Sequence, residues 1–356
     1  MIATALSGWR TFWFRPTRAY TLGVVRIAFG ALIVIWTAAL LPGLHDLFGV
    51  EGVAPAPLRE SFRWTLFQIW SGDQALLVGW AVLLVAGLAM TVGWHSRLAA
   101  VVVFVLVLSF QYRNPSAFNS GDVVIRVEAF FLMLAPSGAA LSLDQQRRTG
   151  SFWSTQIRAP WTIRFLQLQL SIIYLASVRS KMSGHAWPDG TAVSYALRLY
   201  DMLLLPTPNA FSADPLLVNV ATWGTLAMEL SLGILVWNKR LRPWILAAGI
   251  VMHTTIALTI NVGFFSPAMF VLYLAFVPPT VVRDLPATIR RHLSRDRASE
   301  QDRVDVAAVH PHRVVVGADL GLHGRPPSVV SCSASSPAAS DESVHGSSCQ
   351  SPNGSG

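Results

Sequence analysis

Long apolar runs separated by short polar breaks dominate roughly the first 280 residues of the chain. Eight runs stand out, at about 21–41, 74–94, 98–112, 122–141, 160–178, 216–237, 243–261 and 264–279. A helix needs ~20 mainly apolar residues to cross a bilayer, whose interior leaves no backbone polar group a partner outside the segment. The first, second and sixth runs reach that length. The third and eighth are short, and Pro136 and Gly138 interrupt the fourth, so the pattern predicts six to eight crossings. The expected fold is all-α, a polytopic transmembrane helical bundle of about eight helices with a disordered C-terminal tail. Beyond Arg297 the chain is rich in Ser, Pro, Gly and His and has no hydrophobic period, so it cannot bury enough apolar surface to offset ordering entropy. The expected organisation is an interfacial segment at 1–20, a transmembrane domain at 21–280, a basic cytoplasmic flank at 281–298 and the tail at 299–356.

Composition narrows the class. Apolar residues make up 53% of the chain and charged residues 13%, about half the charged share of a soluble domain. The net charge of +8 does not point to nucleic acid, because the basic residues sit at the ends of apolar runs, where topology explains them. With the N-terminus inside, the inner segments hold Arg10, Arg15, Arg18, Arg97, Arg147, Arg148, Arg158, Lys239, Arg240, Arg242 and five more between Arg283 and Arg297. The outer loops hold Arg59, Arg63, Arg113, Arg179, Lys181 and Arg198. This positive-inside bias predicts a multi-pass protein of the cell membrane with both termini cytoplasmic. Arg10, Arg15 and Arg18 precede a full-length span with no small-residue cleavage site, which reads as an anchor rather than a cleaved signal. Cys332 and Cys349 both lie in the tail, so neither a disulfide framework nor a metal site is expected. Two outer loops, about 42–73 and 179–215, are long and rich in Trp, Phe and Pro, which places the expected chemistry on the outer face.

Ionisable groups at membrane depth are costly and concentrate at functional sites. Arg26 and Arg164, near inner ends, can snorkel to the headgroups. Asp122 and Arg126, four apart, can pair on one helix face. Glu128 sits about 200° around from Arg126 and needs another partner. Glu229 and His253 lie deeper, where a buried interhelical hydrogen bond and a proton-handling role are both open readings. On the fifth run, Arg164, Gln167, Ser171, Tyr174, Val178 and Lys181 follow 3,4,3,4,3 spacing within an arc of about 100°. All but Val178 are polar, and such a stripe faces the bundle or a wet cavity. Lys181 ends it beside the long outer loop, where a partly desolvated amine could act as a base.

These residues also carry a family resemblance. Tyr174–Leu–Ala–Ser–Val–Arg–Ser–Lys181–Met, followed by Trp187–Pro–Asp–Gly190–Thr–Ala, resembles the central motif of the vitamin K-dependent gamma-carboxylase membrane domain, within the horizontally transferred transmembrane (HTTM) domain family. Val25–Arg–Ile–Ala–Phe–Gly30, Gly49–Val–Glu–Gly–Val–Ala–Pro55, Asn119–Ser–Gly–Asp122, Ser142–Leu–Asp144 and Glu229–Leu–Ser–Leu–Gly233 agree in order, so the resemblance covers about residues 8–280. It implies a reduced quinone of the vitamin K type, with O2 and CO2 as co-substrates of a carboxylase-like lyase. Lys181 takes the place of the family's catalytic base. Two departures stand beside it. The eukaryotic carboxylases carry a histidine where this chain has Gly121, and a large lumenal domain where this chain has its tail.

The leading reading is therefore a quinone-linked oxygenase, epoxidase or carboxylase-like membrane enzyme. Lys181 would be its base, with Gln167, Ser171, Tyr174, Trp187 and Asp189 shaping an outer pocket, and a peptide or protein would be a further substrate. The alternative is a non-enzymatic membrane factor for peptide maturation, assembly or export. A transporter is disfavoured because no repeated halves or paired broken helices are visible.

Overall fold

The computed structural model describes residues 2–53, 64–154, 156–205 and 208–288, together with 291 and 294. The tail with both cysteines, and the loop residues Arg59, Phe62 and Arg63, lie outside the described residues. In chain order the described elements are α1 (Ile2–Phe14), β1 (Thr17–Arg18), α2 (Tyr20–Leu40), α3 (Leu44–Phe48), α4 (Asp73–Val92), α5 (Ser96–Arg113), α6 (Ser120–Leu134) and α7 (Leu143–Thr149). They continue with β2 (Ile157–Arg158), α8 (Trp161–Met182), α9 (Ala192–Ala196), α10 (Asn209–Ala213), α11 (Pro215–Ile234), α12 (Arg242–Thr259) and α13 (Phe265–Leu274).

Each of the eight apolar runs holds a helix: α2, α4, α5, α6, α8, α11, α12 and α13. Four helical stretches are long and apolar enough to cross a membrane: Tyr20–Phe48, Asp73–Val92, Ser96–Arg113 and Pro215–Trp237. Phe265–Leu274 and Pro279–Thr288, bent by 97° at their junction, would make a fifth if they count as one span. The number of crossings supported by length and composition is thus four or five, below the six to eight expected. The α6 and α13 helices, at 15 and 10 residues, are too short to cross alone. The α6 helix stops at Leu134 rather than near 141 because Ala135 precedes Pro136 and takes an extended backbone, ψ 148°; proline's ring disfavours the helical region for the residue before it.

The bundle is an integral, multi-pass membrane protein. Its outside shows why: Val78, Val82, Val85, Leu88 and Val92 form an exposed apolar stripe along α4, a face suited to lipid and not to water. Inside, the larger of two packed cores among the described residues contains Phe29, Ile33 and Trp36 of α2, Leu83 and Met90 of α4, Phe110 of α5, Leu132 of α6, Leu166 and Leu170 of α8, and Met269 and Leu272 of α13. The α1 helix docks on α8: Trp13 is buried and packs on Phe165, ring centroids 4.8 Å apart. An antiparallel ladder pairs Thr17 with Arg158 and Arg18 with Ile157. It ties the segment before α2 to the segment before α8.

Candidate functional site

The polar stripe of α8 is the scaffold of the site, and packing divides it into three levels. At the N-terminal level Arg164 donates to the Phe12 carbonyl (3.2 Å) and to Gln167 Oε1 (2.9 Å), with its guanidinium 4.7 Å from the Phe12 ring centroid. Gln167 Nε2 donates to the Ala275 carbonyl, 2.8 Å. Ser171 Oγ accepts from Trp237 Nε1, 2.8 Å. Gln167 and Ser171 therefore stitch α8 to its neighbours and are not brought together with Trp187 and Asp189.

One turn on, Tyr174 is buried at 2% exposure. Its hydroxyl lies 2.8 Å from His253 Nε2 of α12 and 2.5 Å from the Tyr273 hydroxyl of α13. His253 Nδ1 lies 3.3 Å from Ser266 Oγ. Three helices thus converge on a chain of four polar side chains, each able to donate and accept a proton according to tautomer and rotor.

Lys181, two turns beyond Tyr174 on the same face, forms an ion pair with Glu229 of α11. Ser177 Oγ donates to the other carboxylate oxygen of Glu229, 3.1 Å, and the Lys181 ammonium lies 4.4 Å from the Trp187 ring centroid. Both charges are largely enclosed, with side-chain exposures of 22% and 10%.

Glu229 lies about 21 Å of helical rise from the Pro215 end of α11, so Lys181 faces the later half of its neighbour. The loop after α8 covers the interval. Its turn is closed by the Asp189 N–H to the His185 carbonyl (2.9 Å) and the Thr191 N–H to the Ala186 carbonyl (2.9 Å). Val193 N–H donates to Thr222 Oγ1, 3.2 Å. Gly190 makes the turn possible: its φ is +72°, and a Cβ there would lie 2.3 Å from Asn219 Oδ1. The loop contacts α11 at Asn219 and Thr222, between Glu229 and the Pro215 end, and it lays Trp187 on Lys181. Asp189 stands exposed in the same turn.

Several other polar groups have structural tasks. Asp122 does not pair with Arg126. As the N3 residue of a capping box it turns back to accept the Asn119 N–H (2.7 Å), and its other oxygen accepts Trp36 Nε1 (2.7 Å). Arg126 lies over the Tyr112 ring, 5.2 Å. Arg26 does not snorkel: it is fully buried and donates to the Leu141 carbonyl, 2.5 Å. Asp144 accepts from the His95 N–H (2.8 Å), the Ser96 N–H (2.7 Å) and the Ser96 hydroxyl (2.8 Å), closing the start of α5. Its burial alone would raise its pKa, but these hydrogen bonds outweigh that and hold it below the ordinary 3.8. The segments around Arg26 and Ser142–Leu–Asp144 thus meet at the α4–α5 hairpin, away from Lys181. Glu128 is fully buried, and among the described residues neither carboxylate oxygen has a hydrogen-bond partner.

Gly121, which the resemblance sets against a histidine of the carboxylases, has no room for a side chain. A Cβ on Gly121 would lie 2.4 Å from the Phe265 backbone nitrogen. A histidine does reach this neighbourhood from α12: the His253 and Phe265 rings are 5.5 Å apart.

Sequence reasoning missed Tyr273, Ser177 and Ser266. Ser177 was within reach, since 174, 177 and 181 follow the same 3,4 spacing as the stripe. Tyr273 and Ser266 lie in an apolar run with no local sign of a polar partner. No group of three or more His, Cys, Asp or Glu residues placed to hold a metal occurs among the described residues.

Comparison with known proteins agrees with this architecture. The HTTM domain matches residues 14–280. The uncharacterized protein YitO of Bacillus subtilis (strain 168) is 23% identical over 211 residues, which cover 54% of this chain and 65% of that one. The chain thus spans just under two thirds of that relative's length. No solved structure matches. A single match running from the end of α1 past α13 takes in all eight apolar runs, and the chain belongs to the HTTM domain family.

Proposed function

We propose that this protein is a membrane enzyme that removes a proton from a weakly acidic, quinol-class substrate, with Lys181 as the base and Glu229 as the partner that takes its proton. The observation that carries the proposal is the enclosed Lys181–Glu229 pair, held by Ser177 and covered by Trp187. In a poorly solvated site an amine and a carboxylate in contact can share one proton, and the neutral amine so formed is a competent base. Lys181 passes its proton to Glu229, accepts the hydroxyl proton of the substrate and returns to the ammonium form, leaving the substrate as an anion. When bound, a reduced quinone of the vitamin K type would supply the oxygen-dependent step, with CO2 consumed if the reaction is carboxylase-like. Tyr174, His253 and Ser266 give the bundle interior a hydrogen-bonded route beside the pair. The resemblance of the 174–192 segment to the carboxylase membrane domain supports this class. The positive-inside bias supports a cell-membrane location with the N-terminus cytoplasmic and Lys181 opening outward.

A second reading has its own support. Both oxygens of Glu229 are engaged, by Lys181 and Ser177, as in an interhelical strut of a non-enzymatic peptide-maturation or export factor. The test is oxygen-dependent loss of hydroquinone by the purified protein in lipid nanodiscs, comparing the parent with Lys181→Arg. Arginine keeps the cation but does not give up its proton, so the base reading expects a loss of about 10²-fold or more. A fully active Arg variant overturns the role of Lys181. Absence of turnover in the parent favours the strut.

A further inference from the structure

We propose that the cavity at the N-terminal end of α8 is a binding site for the headgroup and upper chains of an anionic phospholipid. The cavity measures about 800 Å3 and lies at the opposite end of α8 from Lys181, between the β1–β2 ladder, the first turns of α8 and α12, and residues 275–281. Among the described residues, five cationic side chains line it (Arg18, Arg158, Arg164, Lys239 and Arg242) and no Asp or Glu does. Arg18, Arg158 and Lys239 are exposed, while Arg164 and Arg242 sit partly buried.

Among the described residues, the two inner guanidiniums bond to neutral acceptors. Arg164 reaches the Phe12 carbonyl and Gln167, and Arg242 reaches the Val236 carbonyl at 3.0 Å and the Trp237 carbonyl at 3.4 Å. Like charges are thus gathered around one space without a countercharge from the lining residues.

Two further features ask for an anion in the same place. Both α8 and α12 begin at the cavity, and neither has a side-chain N-cap. The first-turn N–H groups of α8 carry partial positive charge and favour a bound anion; at α12 the Arg242 N–H already donates to the Asn238 carbonyl and Pro243 has no N–H, so α12 adds little there. In the first turn of α8, Thr162 is 2% exposed and its hydroxyl has no hydrogen-bond partner among the described residues, which leaves a buried polar group that a phosphate oxygen would satisfy.

The rest of the wall selects a lipid over a soluble anion. Leu22, Ile163, Leu246, Ile250 and Phe276 make the cavity apolar away from the cations, and Ile250 is 47% exposed on α12. Acyl chains can lie along that wall while the phosphodiester meets the guanidinium forks, whose geometry suits phosphate oxygens. A basic pocket between membrane helices is a known mode of headgroup recognition.

The test uses full-length purified protein in detergent, titrated separately with phosphatidylglycerol, phosphatidylcholine and inorganic phosphate. Native mass spectrometry reads binding and thermal melting reads stabilisation. Phosphatidylglycerol should bind at concentrations at least tenfold lower than phosphatidylcholine and should raise the melting temperature, with no shift from inorganic phosphate. An Arg18→Gln, Arg158→Gln, Lys239→Gln variant should melt like the parent without lipid and need about 10²-fold more phosphatidylglycerol, roughly fivefold per charge removed. If the triple variant does not fold, Lys239→Gln alone should show the single fivefold step. Equal binding of the two lipids overturns the proposal, as does unaltered phosphatidylglycerol binding by the variant. A melting shift reproduced by inorganic phosphate alone overturns the lipid assignment in favour of a soluble anion.

Discussion

Arg26 and Leu141 are joined by a 2.5 Å hydrogen bond from the guanidinium to the carbonyl, which ties the first long helix to a backbone turn in the left-handed region, φ 52° at Leu141. Gly93 makes room for that contact. A Cβ at position 93 would lie 1.7 Å from Arg26 Nη1 and 2.4 Å from Ser142 Cβ, and Gly93 itself has φ +73°. Gly93→Ala therefore adds a collision to a conformation that L-residues disfavour by about 1–2 kcal/mol. The variant should lose about 3 kcal/mol or more, on the order of 5–10 °C in a detergent melt. With Arg26→Ala in the same chain the collision with the guanidinium is gone, while the contact with Ser142 Cβ and the backbone strain remain, so the double variant should lose less than the sum of the singles. Strict additivity would show that the guanidinium yields without cost.

Asp144 gives a pH prediction outside the spanning helices. Its folded pKa is depressed because three donors from His95 and Ser96 outweigh its burial. A depressed carboxyl stabilises fully above its unfolded pKa, and that contribution disappears as pH falls through the folded value. The melting temperature of the parent should therefore fall as pH drops below about 4. Asp144→Asn should melt lower at neutral pH and lose part of that acid slope. Parallel melting curves for the two proteins across the acid range would refute the assignment.

Hydropathy made the helices legible, because a bilayer punishes any unpaired backbone and forces long apolar segments. Periodicity made the α8 stripe legible, because residues at 3,4 spacing must share a face. Partners were not legible. Glu229 lies 48 residues from Lys181 and His253 lies 79 from Tyr174, and no local pattern says which helices touch. Asp122 and Arg126 have the right spacing to pair, yet capping satisfies the carboxylate first, since the N–H groups at a helix start have no other acceptor. Arg26 looked free to snorkel because its distance from the helix end is short, whereas the packing of Gly93 and Leu141 over it is a tertiary property.

The last prediction separates a catalytic pair from a strut. Removing one member of a largely enclosed ion pair leaves the other charge uncompensated, typically at about 3 kcal/mol or more. Glu229→Gln and Lys181→Met should thus each lower the melting temperature whichever reading holds. The exchange variant, Lys181→Glu with Glu229→Lys, restores opposite charges across the same α8–α11 contact, and the helices should hold together much as in the parent. A strut would regain both stability and biological output, because only the attraction matters. A base would regain stability alone, since the amine now stands on α11, away from the face that carries Tyr174 and outside the position over which Trp187 lies. Hydroquinone turnover should then remain about 10²-fold below the parent while the melt recovers. Recovery of turnover together with the melt would remove Lys181 from the chemistry and leave the pair as packing.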